Sequence, residues 1–220
     1  MNKKILVIAP HPDDEVLGCG GTIKKYAAAG HEVFLGVVTK AYAPDWSEDF
    51  IKNRKKEVAQ ANKILGIKET FFLELPTVKL DTVPQKELND KIGEIINKVK
   101  PDILFLPFYG DLNQDHRLVF EAGLVCARPY KNSIKKIFVY ETSSETEWGT
   151  RQFWPVAYMD ITETLKDKLG AMACYASELK DFPHPRSLEG ITVLAKKRGT
   201  EAGLVAAEAF IIIREIFIKS

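Results

Sequence analysis

Residues Lys4 to Ala9, reading KILVIA, form an apolar run that ends abruptly at Pro10-His11-Pro12-Asp13-Asp14-Glu15. A run without polar alternation belongs to a strand buried on both faces of a parallel sheet. Glu15 to Ala29 follows with helical character, and Gly30 is its expected carboxyl cap. The chain therefore opens on a strand–turn–helix unit, which commits it to a layered α/β architecture. The turn itself is costly, because three adjacent carboxylates repel one another and resist desolvation. A positive charge is expected there to hold them.

The alternation continues along the chain. Strands are expected at Glu32–Thr39, Glu69–Leu75, Asp102–Pro107 and Lys135–Glu141. Helices are expected over about Phe50–Leu65, over Gln85–Val99, and after FYGDLNQDHR to about Ala127. The last third is less regular. It reads as a long loop over Thr142–Pro155, a short strand near Val156–Asp160, helices near Glu163–Ala176 and Leu188–Lys197, and a terminal strand AEAFIIIREIFI from Ala207 to Ile218. The expected fold class is α/β: a Rossmann-like, doubly wound, mostly parallel sheet with helices on both faces. No linker composition interrupts it, so residues 1–220 read as one domain.

Ligands in such sheets bind beyond the carboxyl ends of the strands, at the point where the winding reverses. HPDDE follows the first strand and NQDHR the fourth, and those strands are neighbours in a doubly wound order. His11, Asp14 and His116 would then converge into an N/O donor set suited to zinc, with a position left open for water. Asp13 would stand beside it as general base. The plainer alternative is that Asp13 or Asp14 caps the following helix. Gly18, Gly20 and Gly21 lack the G-x-G-x-x-G spacing and follow three acids, so they are read as packing and turn glycines rather than a phosphate cradle.

Several function classes are disfavoured. A formal net charge of +1 gives no bulk attraction to nucleic acid or membranes. No run approaches the roughly 18–20 apolar residues of a membrane span, and the amino-terminal apolar run is too short for a secretion signal. Cys19, Cys126 and Cys174 are odd in number and widely spaced, which favours a reduced, cytoplasmic protein over a disulfide framework.

APHPDDEVLGCGGTI strongly resembles the opening motif of the LmbE-like, PIG-L superfamily of zinc-dependent de-N-acetylases, and NQDHR resembles its second metal motif. NRKKEVAQANKILGI and KRGTEAGLVAAEAF resemble two further signatures, so the likeness spans nearly the whole chain. The resemblance implies zinc on His11, Asp14 and His116, with Asp13 as base. It implies that Asp115 orients a histidine and that Arg54 lies near substrate or product acetate; a solvated arginine on a helix face is the alternative for Arg54. Many relatives carry a histidine where this chain has Asn113. Asparagine can donate to an oxyanion but cannot act as an acid near neutral pH. Asp13 is therefore expected both to take the water proton and to deliver it to the leaving amine; His184 is a second candidate acid, with an ordinary loop histidine the commoner reading. Glu208 is expected to hydrogen-bond structurally, and His31 lies at the opposite end of the sheet.

The implied substrate is a small N-acetylated amino sugar, hydrolysed to acetate and a free amine. Trp46, Trp148 and Trp154 sit in or beside the long loops and could stack on a pyranose ring, although burial as loop anchors is the commoner fate. A non-sugar amide, a sugar- or metal-binding protein without turnover, and a dinucleotide-binding oxidoreductase are the competing readings. Iron(II) or cobalt suits the same ligands, and a homo-oligomer is left open.

Overall fold

Side-chain alternation along the first strand sets the architecture. In the computed structural model, which describes residues 2–132 and 134–217, β1 (Lys4–Ala9) sends Leu6 and Ile8 into one apolar layer and Ile5, Val7 and Ala9 into the other. Burying Ile5, Leu6, Val7 and Ile8 is worth about 1.5–3 kcal/mol each. The strand is thereby fixed firmly enough to support a strained turn at its tip.

The sheet has seven strands: β1, β2 (Glu32–Lys40), β3 (Glu69–Pro76), β4 (Ile103–Pro107), β5 (Lys136–Tyr140), β6 (Ala157–Asp160) and β7 (Ala207–Glu215). Their order is β3-β2-β1-β4-β5-β7-β6. The first five are parallel, with Ile5, Leu6 and Val7 facing Ile103, Leu104 and Phe105 across the β1–β4 junction. The winding reverses there, as expected. The departure from parallel order lies at one edge, where β7 runs antiparallel to both β5 and β6. That last strand ends at Glu215, short of its expected end; Ile216 and Phe217 lie beyond it, and Ile218 is outside the described residues.

Helices α1 (Asp14–Ala28), α2 (Glu48–Leu65) and α5 (Leu165–Cys174) pack on one another, and α1 and α2 bury Leu17, Ile23, Val58 and Leu65 against one face of the sheet. Helices α3 (Gln85–Val99) and α4 (Gln114–Cys126) cover the other face through Ile92, Ile96, Val119 and Phe120. Helix α6 (Leu188–Ala202) packs beside β7 and runs five residues beyond its expected end, to a left-handed Gly203. Ser47 caps α2 by accepting from the Phe50 amide, which starts that helix two residues earlier than its apolar pattern suggests.

The glycines of α1 act by close approach. A Cβ on Gly18 would lie 2.2 Å from the Tyr140 ring, and one on Gly21 would lie 2.7 Å from Ile161. They let α1 settle onto β5 and the segment after β6. The left-handed residue of the preceding turn is not a glycine at all; it is Asp13. Glu208 is structural, as expected. Its carboxylate accepts from the Gly21 and Thr22 amides and from buried Lys168, tying β7 to α1 and α5.

Candidate metal centre

The tip of β1 carries the site. Asp13 sits at φ 112°, ψ −25°, a left-handed conformation that non-glycine residues rarely adopt. Such a residue costs on the order of 1–3 kcal/mol and persists only where its surroundings over-determine it. Here they do. The Arg54 Nη2 donates to the Pro12 carbonyl at 2.6 Å, and the Asp13 amide donates to the Glu15 carboxylate at 3.1 Å. Asp14 accepts from the His11 amide at 2.8 Å. Asp13 occupies the position before α1 yet makes no side-chain capping bond, so the capping alternative does not account for it.

His11, Asp14 and His116 come together as the sequence predicts. His11 Nδ1, Asp14 Oδ2 and His116 Nε2 form a triangle with all three sides 3.3 Å. In a tetrahedral zinc site with bonds of about 2.0–2.1 Å, ligand atoms stand roughly 3.3–3.4 Å apart. The donor set therefore fits such an ion in size as well as in chemistry. The other ring nitrogens are engaged elsewhere. His11 Nε2 meets Asp115 Oδ2 at 3.0 Å, and His116 Nδ1 meets Asp111 Oδ2 at 2.7 Å. Each histidine thus turns its free nitrogen toward the triangle.

The electrostatics agree. Burial opposes charge on both imidazoles, yet hydrogen bonds to Asp115 and Asp14 raise His11 to about 9. The Asp14 charge and bonds to Asp111 and Asp14 raise His116 to about 10. Asp14 is held far below its ordinary value, against burial, by the His116 charge and both histidine hydrogen bonds. The carboxylates demand positive charge at this point. Protons on the imidazoles or one divalent cation would supply it through the same lone pairs.

Asp13 is 2% exposed, and its Oδ2 has no hydrogen-bond partner among the described residues. Burial, then the Asp14 charge, pushes its carboxyl up to about 8, with Arg186 and Arg54 offsetting part of the rise. Arg186 Nη1 stands 3.6 Å from Asp13 Oδ2, beyond hydrogen-bond reach. A buried, unpartnered acceptor beside the donor triangle is suited to receiving a proton.

His11, Asp13, Asn113, Arg54 and Arg186 line a cleft of about 200 Å³, whose apolar side includes Trp46, Phe50 and Phe72. Arg54 is buried, not solvated. It stacks near the Phe50 and Tyr175 rings and bonds Glu57 and Ser177. Asn113 caps α4, its Oδ1 accepting from the Asp115 amide, which leaves its Nδ2 hydrogens available. Asp115 also accepts from the Val78 and Leu80 amides.

Other candidates fall elsewhere. Trp148 packs edge-on against His184, and Trp154 lines a separate groove with Arg198. His184 accepts from the Arg186 amide and is not among the cleft residues. His31 accepts from the Lys3 amide at the far end of the sheet. Sequence reasoning missed Asp111, Arg186 and Glu15. An acid five residues before His116 was the available signal for Asp111. Nothing local marks Arg186, which reaches the site from 173 residues further along the chain.

The family model described as GlcNAc-PI de-N-acetylase, PIG-L, matches residues 6–127. The uncharacterised deacetylase YaiS of Escherichia coli K12 is 34% identical over 73% of this chain and 83% of its own. A probable N-acetyl-α-D-glucosaminyl L-malate deacetylase 2 of Bacillus cereus is 32% identical over 81% of this chain and 84% of its own. Among solved structures, N,N′-diacetylchitobiose deacetylase from Pyrococcus horikoshii superimposes with a TM-score of 0.78 at 25% identity, covering 96% of this chain and 84% of that one. The fold is not confined to deacetylases. The 4-carboxy-2-hydroxymuconate hydratase GalB of Pseudomonas putida shares it at a TM-score of 0.79 and 20% identity, covering 99% of each chain.

Proposed function

The chain belongs to the PIG-L family, and from that premise we propose that it is a zinc-dependent hydrolase acting on an N-acetylglucosamine-type conjugate, from which it releases acetate and a free amine. One observation carries the reading: an equilateral N/N/O donor triangle beside a buried carboxylate whose Oδ2 makes no hydrogen bond among the described residues. Relatives named for acetylated glucosamine compounds support a sugar as the substrate. We read residues 1–220 as one domain. Three free cysteines among the described residues accord with a reducing, cytoplasmic setting.

His11 Nδ1, Asp14 Oδ2 and His116 Nε2 would hold the ion. Bound there, zinc supplies a Lewis acid for the acyl carbonyl and lowers the pKa of water toward neutrality. Asp115 and Asp111 keep the two imidazoles in the tautomers that present those nitrogens. Asp13 Oδ2 accepts a proton from the attacking water and returns it to the amine nitrogen as the C–N bond breaks. Asn113, with Oδ1 committed to the helix cap, offers Nδ2 hydrogens to the carbonyl oxygen as that oxygen gains negative charge. Arg54 holds the Pro12 carbonyl, and so the turn, while lining the cleft where acetate would leave.

The test is acetate release from a panel of N-acetylglucosamine conjugates by zinc-loaded and chelator-stripped protein. Release that requires the metal supports the reading. Turnover of a non-sugar amide alone would move the substrate class, and zinc binding without any release would make this a binding protein.

A further inference from the structure

We propose that Thr146 is a positioning residue for the metal centre, acting on His116 through Asp111. The inference rests on the ligand set proposed above and extends it to the loop after β5. His116 Nδ1 meets Asp111 Oδ2 at 2.7 Å, and Thr146 Oγ1 meets Asp111 Oδ1 at 2.5 Å. Both carboxylate oxygens are thus used, in a residue only 1% exposed. The Thr142 amide donates to Thr146 Oγ1 at 2.8 Å. A hydroxyl has one proton, and with the amide occupying a lone pair, that proton goes to Asp111. The direction of the chain is therefore set, from the Thr142 N–H through Thr146 to the Asp111 carboxylate. Thr146 thereby fixes the orientation of the carboxylate through Oδ1, and the ionised Oδ2, an acceptor only, takes the His116 Nδ1–H, which keeps Nε2 free to ligate.

The two loops are joined by more than this bond. The Leu112 amide donates to the Glu145 carbonyl at 3.1 Å, and a Cβ on Gly149 would collide with the Gly110 carbonyl at 2.6 Å. The same segment also reaches the other side of the centre. Ser144, at φ 71°, accepts from Arg186 Nε at 2.7 Å, and Glu145 stands 3.4 Å from its Nη2. One loop thus orients a ligand at one end and the arginine facing Asp13 at the other, without itself entering the donor triangle.

The experiment measures zinc affinity by competition with a chromophoric chelator, for wild type, Thr146→Val, Thr146→Ala and Thr146→Ser, with folding checked by circular dichroism. Loss of the hydroxyl should weaken zinc binding measurably, by up to roughly 10-fold, the lower end of what losing a ligand's own hydrogen-bond partner costs. The serine variant, which keeps the hydroxyl, should bind zinc more tightly than the valine and alanine variants and close to wild type. Folded valine and alanine variants with wild-type affinity would overturn the proposal, as would a serine variant no better than valine. If valine misfolds, alanine decides. Because the readout is affinity, a wild type that binds zinc but releases no acetate would sink the deacetylase reading alone. A wild type that binds no zinc would sink both.

Discussion

At the residue scale, the site depends on how Asp13 is held. Its left-handed backbone is secured by Arg54 on one side and Glu15 on the other. Arg54→Ala should therefore act through stability as well as activity. It removes charge-assisted bonds to Pro12, Ser177 and Glu57 from a buried position, and a loss of about 2–3 kcal/mol is expected in urea unfolding. Arg54→Lys should recover little, since an ammonium cannot reproduce the fork. Wild-type stability in both variants would show that the turn holds itself. The donor triangle and the position of Asp13 were legible in the sequence because each residue is adjacent to a strand end or a helix start. Arg186, Asp111 and Thr146 were not, because their roles exist only once three loops meet above the sheet.

At the element scale, α1 lies as close to β5 as it does because residue 18 has no side chain. Gly18→Ala would drive a methyl into the Tyr140 ring, which is fully buried and whose hydroxyl donates to the Ile8 carbonyl on β1. Overpacking of this kind typically costs about 1–3 kcal/mol, and the shift should reach the metal centre, because α1 begins at Asp14. Denaturant midpoint and zinc affinity should fall together; an unchanged pair would mean that Tyr140 moves aside freely. The parallel half of the sheet was readable from apolar runs separated by helices. The antiparallel edge was not. The run at β7 says that the strand is buried, but its direction depends on the path of the long segment after β5, which carries no regular pattern.

At the scale of the whole molecule, the candidate centre sits where β1 and β4 part, and His11, Asp14 and His116 meet there from both sides of the winding reversal. A bound ion would link α1 to α4 across that junction, so metal binding and global stability should be coupled. At free zinc of 100 times the dissociation constant the native state gains about 2.7 kcal/mol. For a chain of this size, that corresponds to a rise in Tm of roughly 5–10 °C over chelator-treated protein. Equal melting curves with and without zinc would argue against an ion at this junction. A hydratase on the same fold shows why the architecture alone does not set the reaction. The chemistry is argued from the donors and from Asp13.

The most direct test of that argument is acetate release by Asp13→Asn compared with wild type, with zinc content measured in both. Asp13 is not one of the three donors, so the variant should bind zinc as wild type does. Acetate release should fall by about 10²- to 10⁴-fold, the range for loss of a general acid–base group. A variant that keeps its zinc and releases acetate at the wild-type rate would contradict the account at its centre.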